Sequence, residues 1–198
     1  MDLIALCGFA GSGKDTIADI LVKDYGYTKV SFASPLKDAV AAIFHWDRDL
    51  LEGSTKESRE WREKPDLWWS KRLNIPNLTP RWVLQYIGTD VMRTHFNDNI
   101  WIASAEKSLF SVKGKIVVTD ARFPNEHILI RDMGGKIGKV FRQSTEPKWF
   151  KEYQETGYFP MNAVIHQSET AWLDVKEDFT IHNNGSLEDL KNMLGNLK

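Results

Sequence analysis

The sequence predicts an α/β protein: a parallel five-stranded sheet flanked by helices, with a helical insertion and a lid. Three observations predict it. Apolar runs of strand length alternate with helix-period stretches at both ends of the chain, the pattern of βαβ units. The first run, Leu3-Ile4-Ala5-Leu6-Cys7, leads through a glycine-rich turn into the helix-like Ile17-Ala18-Asp19-Ile20-Leu21-Val22. The strongest β run, Lys115 to Thr119, ends on Asp120, and open parallel sheets bind ligands at such carboxyl ends.

The elements follow in order. After the first strand and helix, a second strand is expected from Tyr27 to Phe32. Ser34-Pro35 opens a helix, Ser as N-cap and Pro at the first helical position, with Leu36, Ala39, Val40 and Ile43 on one side. Trp46 to Asn77 is polar, aromatic and poorly periodic, and is read as mostly helical. Thr79-Pro80 opens the next helix and Ile100 to Leu109 forms another. Pro124 starts a helix toward Met133, and Lys136 to Phe141 is the fourth strand. Ser144 to Asp174 is irregular and long enough to be a lid. Phe179-Thr180-Ile181 is the fifth strand; Ser186 and Asp189 then form a capping box for the last helix. The expected organisation is one domain over 1–198, with an insertion at about 46–112 and a lid at about 144–174.

Composition narrows the function classes. The chain has 198 residues, 42% hydrophobic and 27% charged, with a formal net charge of −1. No global charge draws it to nucleic acid or to anionic lipid, so phosphate binding must come from local placement of Lys and Arg. The single cysteine, Cys7, excludes an internal disulfide. The first apolar run is a strand rather than a signal or membrane segment, and an intracellular, cytoplasmic protein is expected.

Three constellations carry chemistry. The first is Gly8-Phe9-Ala10-Gly11-Ser12-Gly13-Lys14-Asp15-Thr16. Between a strand and a helix, this is a phosphate-binding P-loop: glycines let backbone N–H groups turn inward, and the helix N-terminus adds partial positive charge. Lys14 reaches the β and γ phosphates. The standard pattern has Ser or Thr after the Lys, to hold Mg²⁺. Here that residue is Asp15, and the hydroxyl comes at Thr16.

The second lies on the helix after Pro80. Leu84, Ile87 and Val91 form an apolar face, while Arg81, Gln85, Thr89 and Arg93 recur every four residues as a polar stripe. Gly88 sits mid-helix, where it costs about 1 kcal/mol relative to Ala and permits a close approach. No acid at helical spacing on that side matches Arg81 and Arg93, which suits an anionic ligand. The third is the end of the third strand, Asp120-Ala121-Arg122-Phe123-Pro124-Asn125-Glu126. Asp120 stands where an acid meets Mg²⁺ or a substrate, Arg122 is suited to a two-pronged phosphate grip, and Glu126 to holding Arg122 or to a sugar hydroxyl.

Together, Gly11 to Thr16, Ser34-Pro35-Leu36-Lys37, Gln85-Tyr86-Ile87-Gly88-Thr89-Asp90 and Asp120 to Glu126 resemble phage-type deoxynucleoside monophosphate kinases. The resemblance spans nearly the whole chain in order. It implies a P-loop kinase fold and transfer of the γ-phosphoryl group of ATP, with Mg²⁺, to a deoxynucleoside 5′-monophosphate. It also implies that Gly11, Ser12, Gly13, Lys14, Asp15 and Thr16 bind ATP, with Asp15 and Thr16 toward the metal. Lys37, Arg81, Gln85, Gly88, Thr89, Trp101, Asp120, Arg122 and Glu126 match the acceptor site, with Lys14, Asp15, Asp120 and Arg122 as its catalytic groups. Asn183-Asn184-Gly185 is similar to the adenine-side turn of other small-molecule P-loop kinases, which points Asn184 at ATP, and Arg142 leads into the lid toward the phosphoryl group. Expected partners are ATP and the acceptor nucleotide, without nucleic acid or membrane; a homodimer is left open. The rival readings are a P-loop kinase for another small acceptor, such as dephospho-coenzyme A, and a non-catalytic nucleotide-binding module. His166-Gln167-Ser168-Glu169 receives no role.

Overall fold

The computed structural model describes residues 3–161 and 164–195. Five parallel strands form one sheet: β1 (Leu3–Cys7), β2 (Tyr27–Val30), β3 (Lys115–Val118), β4 (Lys136–Phe141) and β5 (Phe179–His182), in the order β2-β3-β1-β4-β5. β1 is central, pairing Ala5 with Val118 on one side and with Ile137 on the other. The chain after β3 crosses to the far side of β1, so the strand order reverses there. The loops after β1 and β3 leave neighbouring strand ends at that reversal, where doubly wound sheets bind ligands.

Two compact units make up the chain. The first runs up to Ser31 and resumes at Ala105, and it contains the whole sheet. Its helices are α1 (Lys14–Tyr25), α7 (Pro124–Asp132), α8 (Lys148–Thr156) and α9 (Leu187–Gly195). Leu6, Ile17, Ile20, Leu21, Val117, Val140, Ile181, Leu190 and Leu194 form its core on one sheet face, under α1 and α9. α9 starts as expected, with Ser186 and Asp189 bonded reciprocally.

The second unit is Phe32–Ser104. It holds α2 (Ser34–Phe44), α3 (Lys56–Arg62), α4 (Leu67–Leu73), α5 (Pro80–Gln85) and a π-helix over Tyr86–Phe96; α6 (Ile100–Ser111) begins in it. Leu36, Val40, Trp46, Leu51, Leu78 and Val83 form its core, packed by Trp61, Trp69 and Trp101. These tryptophans bury large apolar area, and their indole N–H groups still need acceptors. Trp46 donates to Asp66 at 2.8 Å and Trp69 to the Phe44 carbonyl at 3.0 Å.

Four expectations change. The N-cap of α2 is Ala33, not Ser34, whose hydroxyl accepts from Arg48 at 3.2 Å. Of the expected apolar face of α2, Leu36 and Val40 are buried, whereas Ile43 is 58% exposed. The Pro80 helix keeps its Thr79 cap but widens after Gln85 into the π-helix, as in the i→i+5 bond from Asn97 to the Met92 carbonyl. Wider bonding turns less per residue, so a stripe drawn at α-helical spacing does not continue straight. The lid segment also contains a nine-residue helix, α8. Among the described residues, no helix is long and apolar enough to cross a membrane.

His127 on α7 is 2% exposed. Its Nδ1 lies 2.8 Å from the Phe123 carbonyl, and its Nε2 has no partner among the described residues. Burial, aided by Arg131 and Lys139, lowers its pKa from 6.5 to about 4. The unfolded chain takes up this proton below about pH 6.5 and the native one only near pH 4, so its contribution is full above 6.5 and is lost as pH falls toward 4. In urea titrations at pH 7.5 and 4.5, the wild type should lose about 2 kcal/mol more than His127→Leu; equal losses would remove His127 from the acid response.

Candidate active site

The P-loop takes its shape from glycine. Gly13 sits at φ +101°, and a Cβ there would fall 2.2 Å from Asn183 Nδ2. Asn183, buried at the end of β5, donates to the Ser12 carbonyl at 2.9 Å and so pins the loop from beneath. Gly13 caps α1 without a side-chain hydrogen bond, and a helix N-terminus of this kind suits an anion. Lys14 Nζ donates to the carbonyls of Gly8 and Phe9 at 2.8 Å each. Burial first, and then the charge of Arg122, lower its pKa from 10.5 to about 8. The two cations follow β1 and β3, which are paired neighbours in the sheet. Thr16 is exposed in the first turn of α1.

Alternate residues at the end of β2 hold the two acids of this region. Lys29 Nζ lies 2.7 Å from Asp15 Oδ1, and Ser31 Oγ donates to Asp120 Oδ2 at 2.7 Å. Asp15, read from the sequence toward metal, thus has a lysine as its present partner. Glu126, 3% exposed, accepts from the backbone N–H groups of Arg122 and Phe123 at 2.6 and 3.1 Å. It holds Arg122 by the main chain, leaving the guanidinium to other groups. Arg142 and Asn184, joined through the Gln143 N–H to Asn184 Oδ1 bond of 2.9 Å, line a cavity of about 320 Å³ with Gln143 and Ser144.

The remaining candidates belong to the second unit. Arg81 and Arg93 are not without acids: Arg81 pairs with Glu63 at 3.1 Å, and the buried Arg93 with Asp98 at 3.3 Å. Both acids lie off the helix, so spacing along it did not reveal them. Lys37 pairs with Glu52 at 2.6 Å. Gly88 makes room for a side chain: a Cβ would lie 2.6 Å from Leu36 Cδ2. Trp101 Nε1 donates to the Gly88 carbonyl at 2.8 Å, and Thr89 is buried beside it in sequence, while Gln85 is half-buried. Asn183, Lys29, Ser31, Ser168 and Glu169 escaped the reading from sequence. Asn183 carried a signal as the neighbour of Asn184 in a turn, and Ser168 and Glu169 as part of a segment to which the sequence assigns no role.

A glycine-rich loop with its lysine between β1 and α1, and a second cation beyond the adjoining strand end, mark the chain as a P-loop protein. The deoxynucleotide monophosphate kinase family model matches residues 70–194. A protein of Acanthamoeba polyphaga mimivirus that carries that name is 34% identical, over 72% of this chain and 75% of its own length. The deoxynucleoside-5′-monophosphate kinase of Escherichia phage T5 is 27% identical, over 66% of this chain and 72% of its own. The deoxynucleotide monophosphate kinase of Escherichia phage RB69 is 26% identical, over 96% of each chain. The chain belongs to the deoxynucleotide monophosphate kinase family.

Lys14 must be charged to hold a polyphosphate, and in the free enzyme it loses its proton near pH 8. kcat/KM for ATP should fall above about pH 8, by roughly tenfold per unit once Lys14 is neutral. Arg122→Ala removes a charge that opposes protonation of Lys14, so the falling limb should move to higher pH. A limb unmoved by that substitution would place the two cations apart.

Proposed function

We propose that this chain transfers the γ-phosphoryl group of ATP to the 5′-phosphate of a deoxynucleoside monophosphate, giving the diphosphate and ADP in the cytoplasm. The observation that carries this reading is the placement of Lys14 and Arg122 just beyond the carboxyl ends of two paired strands, β1 and β3, where the charge of Arg122 is felt at Lys14. A nucleotide binder needs only the first cation. A kinase whose acceptor is a monophosphate needs a second cation, to hold the acceptor phosphate beside the donor phosphates.

The acceptor oxygen is already an anion, so no strong base is required; positioning and charge neutralisation carry the reaction. Lys14 and the N–H groups of the loop hold the donor phosphates, and Arg122 grips the acceptor phosphate. The donor oxygens present suit Mg²⁺: the exposed Thr16 hydroxyl and the carboxylates of Asp15 and Asp120 are hard ligands. When bound with ATP, Mg²⁺ neutralises charge on the transferring group. Asp15 places a negative charge among phosphates, and Lys29 offsets it until metal or substrate arrives. The cavity beside Arg142 and Asn184 accepts the donor base. Lys37, Arg81, Gln85, Gly88, Thr89 and Trp101 serve the acceptor in this reading. Trp101, its indole N–H committed to Gly88, offers a ring face to the base.

ADP release, followed with ATP and each deoxynucleoside monophosphate in turn, tests the activity; no acceptor-dependent ADP from any of them would overturn it. Lys14→Ala should lower turnover by about three orders of magnitude with the fold intact. Arg122→Ala should lower acceptor kcat/KM by about a hundredfold and leave the KM for ATP within a few-fold. Lys29→Ala should raise the KM for ATP several-fold, yet add nothing in an Asp15→Ser background. An equal effect in both backgrounds would mean that Lys29 does not act through Asp15.

A further inference from the structure

His166-Gln167-Ser168-Glu169 forms a short 3₁₀ turn whose outer contacts converge on Arg122. Arg122 Nη1 donates to the Ser168 carbonyl at 3.2 Å and lies 3.3 Å from Glu169 Oε1 and 3.5 Å from Ser168 Oγ. Among the described residues, the turn takes only this one nitrogen of the guanidinium. The Nε and Nη2 edge, which binds oxyanions in two-pronged fashion, makes no hydrogen bond to them.

The turn itself is anchored. The Ser168 N–H donates to His166 Nδ1 at 3.2 Å, and Ser168 is buried. Trp172, 2% exposed, donates from Nε1 to the Glu169 carbonyl at 3.0 Å. The Trp172 ring packs edge-on against Phe9 of the P-loop, with centroids 4.9 Å apart, and against Phe141 of β4 at 5.9 Å. A continuous set of contacts therefore runs from the P-loop through Phe9, Trp172 and Glu169 to Arg122.

We infer that the His166–Glu169 turn is the positioning element of Arg122: it seats Nη1 at a fixed place relative to the P-loop and presents the Nε/Nη2 edge to the acceptor phosphate. This rests on the reading of Arg122 as the acceptor grip. An exposed ion pair alone would do little. Here the Ser168 carbonyl and the buried Trp172 fix the geometry, and Glu169 supplies the charge that selects one orientation of the guanidinium.

Acceptor and ATP kinetics and thermal stability of Glu169→Ala, Glu169→Gln, His166→Ala and His166→Asn, each with and without Arg122→Ala, test it. Glu169→Ala should lower acceptor kcat/KM about tenfold, mainly through KM, with the KM for ATP within about twofold. Glu169→Gln, which keeps an acceptor oxygen and the shape, should lose about threefold. His166→Ala should lose a similar amount, and His166→Asn, whose amide oxygen still accepts from the Ser168 N–H, should recover it. None should add a loss in the Arg122→Ala background. Unchanged acceptor kinetics in folded Glu169→Gln and Glu169→Ala, or an equal loss without Arg122, would overturn the positioning role while leaving Arg122 as the grip. Arg122→Ala with normal acceptor kinetics would overturn the reading of Arg122 itself, and this inference with it.

Discussion

The parallel pairing of β1 with β3 is the constraint on which the rest of the site depends. Ala5 opposite Val118 brings two carboxyl ends side by side, one continuing into the P-loop and the other into Asp120 and Arg122. Two loops 100 residues or more apart in sequence thereby share one corner of the sheet. Because β4 lies on the other side of β1, the chain leaves that corner after α7 and returns to the P-loop through the lid segment and through Asn183 after β5. Through this arrangement the charge of Arg122 adds to the burial that lowers the pKa of Lys14.

The corner is held by groups that touch no ligand in the proposed reaction. Asn183 pins the loop through Ser12, Glu126 fixes the backbone of Arg122, and Ser31 and Lys29 set the two acids. The contacts of Asn183, Glu126 and Ser31 satisfy buried or half-buried polar groups that would otherwise lose a partner, at a cost of about 1–3 kcal/mol, whereas the exposed Lys29–Asp15 pair contributes less. Such support keeps charged groups of like sign close together without letting them relax apart. Asp15 fits the same logic: the departure from the usual P-loop hydroxyl comes with a lysine on the next strand to match it.

The second unit follows a different physical plan. Its core combines Leu and Val side chains with tryptophans, three of whose N–H groups bond to Asp66, Phe44 and Gly88, and its helices are short. Arg81, Arg93 and Lys37 each find a carboxylate, so none of them stands as an idle cation.

Much of the architecture was legible without coordinates because it is encoded locally. The apolar run of β1, the glycines and lysine of the P-loop, the Thr79-Pro80 cap, and the span of β4 are set by neighbours within a few residues. Family membership was legible for the same reason, since the motifs carrying it are contiguous. Partners from distant elements were not. Glu63 and Asp98 meet Arg81 and Arg93 from off the helix, Lys29 reaches Asp15 from β2, and the widening of the Pro80 helix follows no residue pattern in its own sequence. The sequence by itself determined that a glycine-rich P-loop with its lysine joins β1 to α1 and that Asp120 and Arg122 follow a strand end. Only the tertiary structure decided what each charge is paired with and how Arg122 is seated, because pairing depends on which strands and turns pack together, and sequence spacing does not encode that.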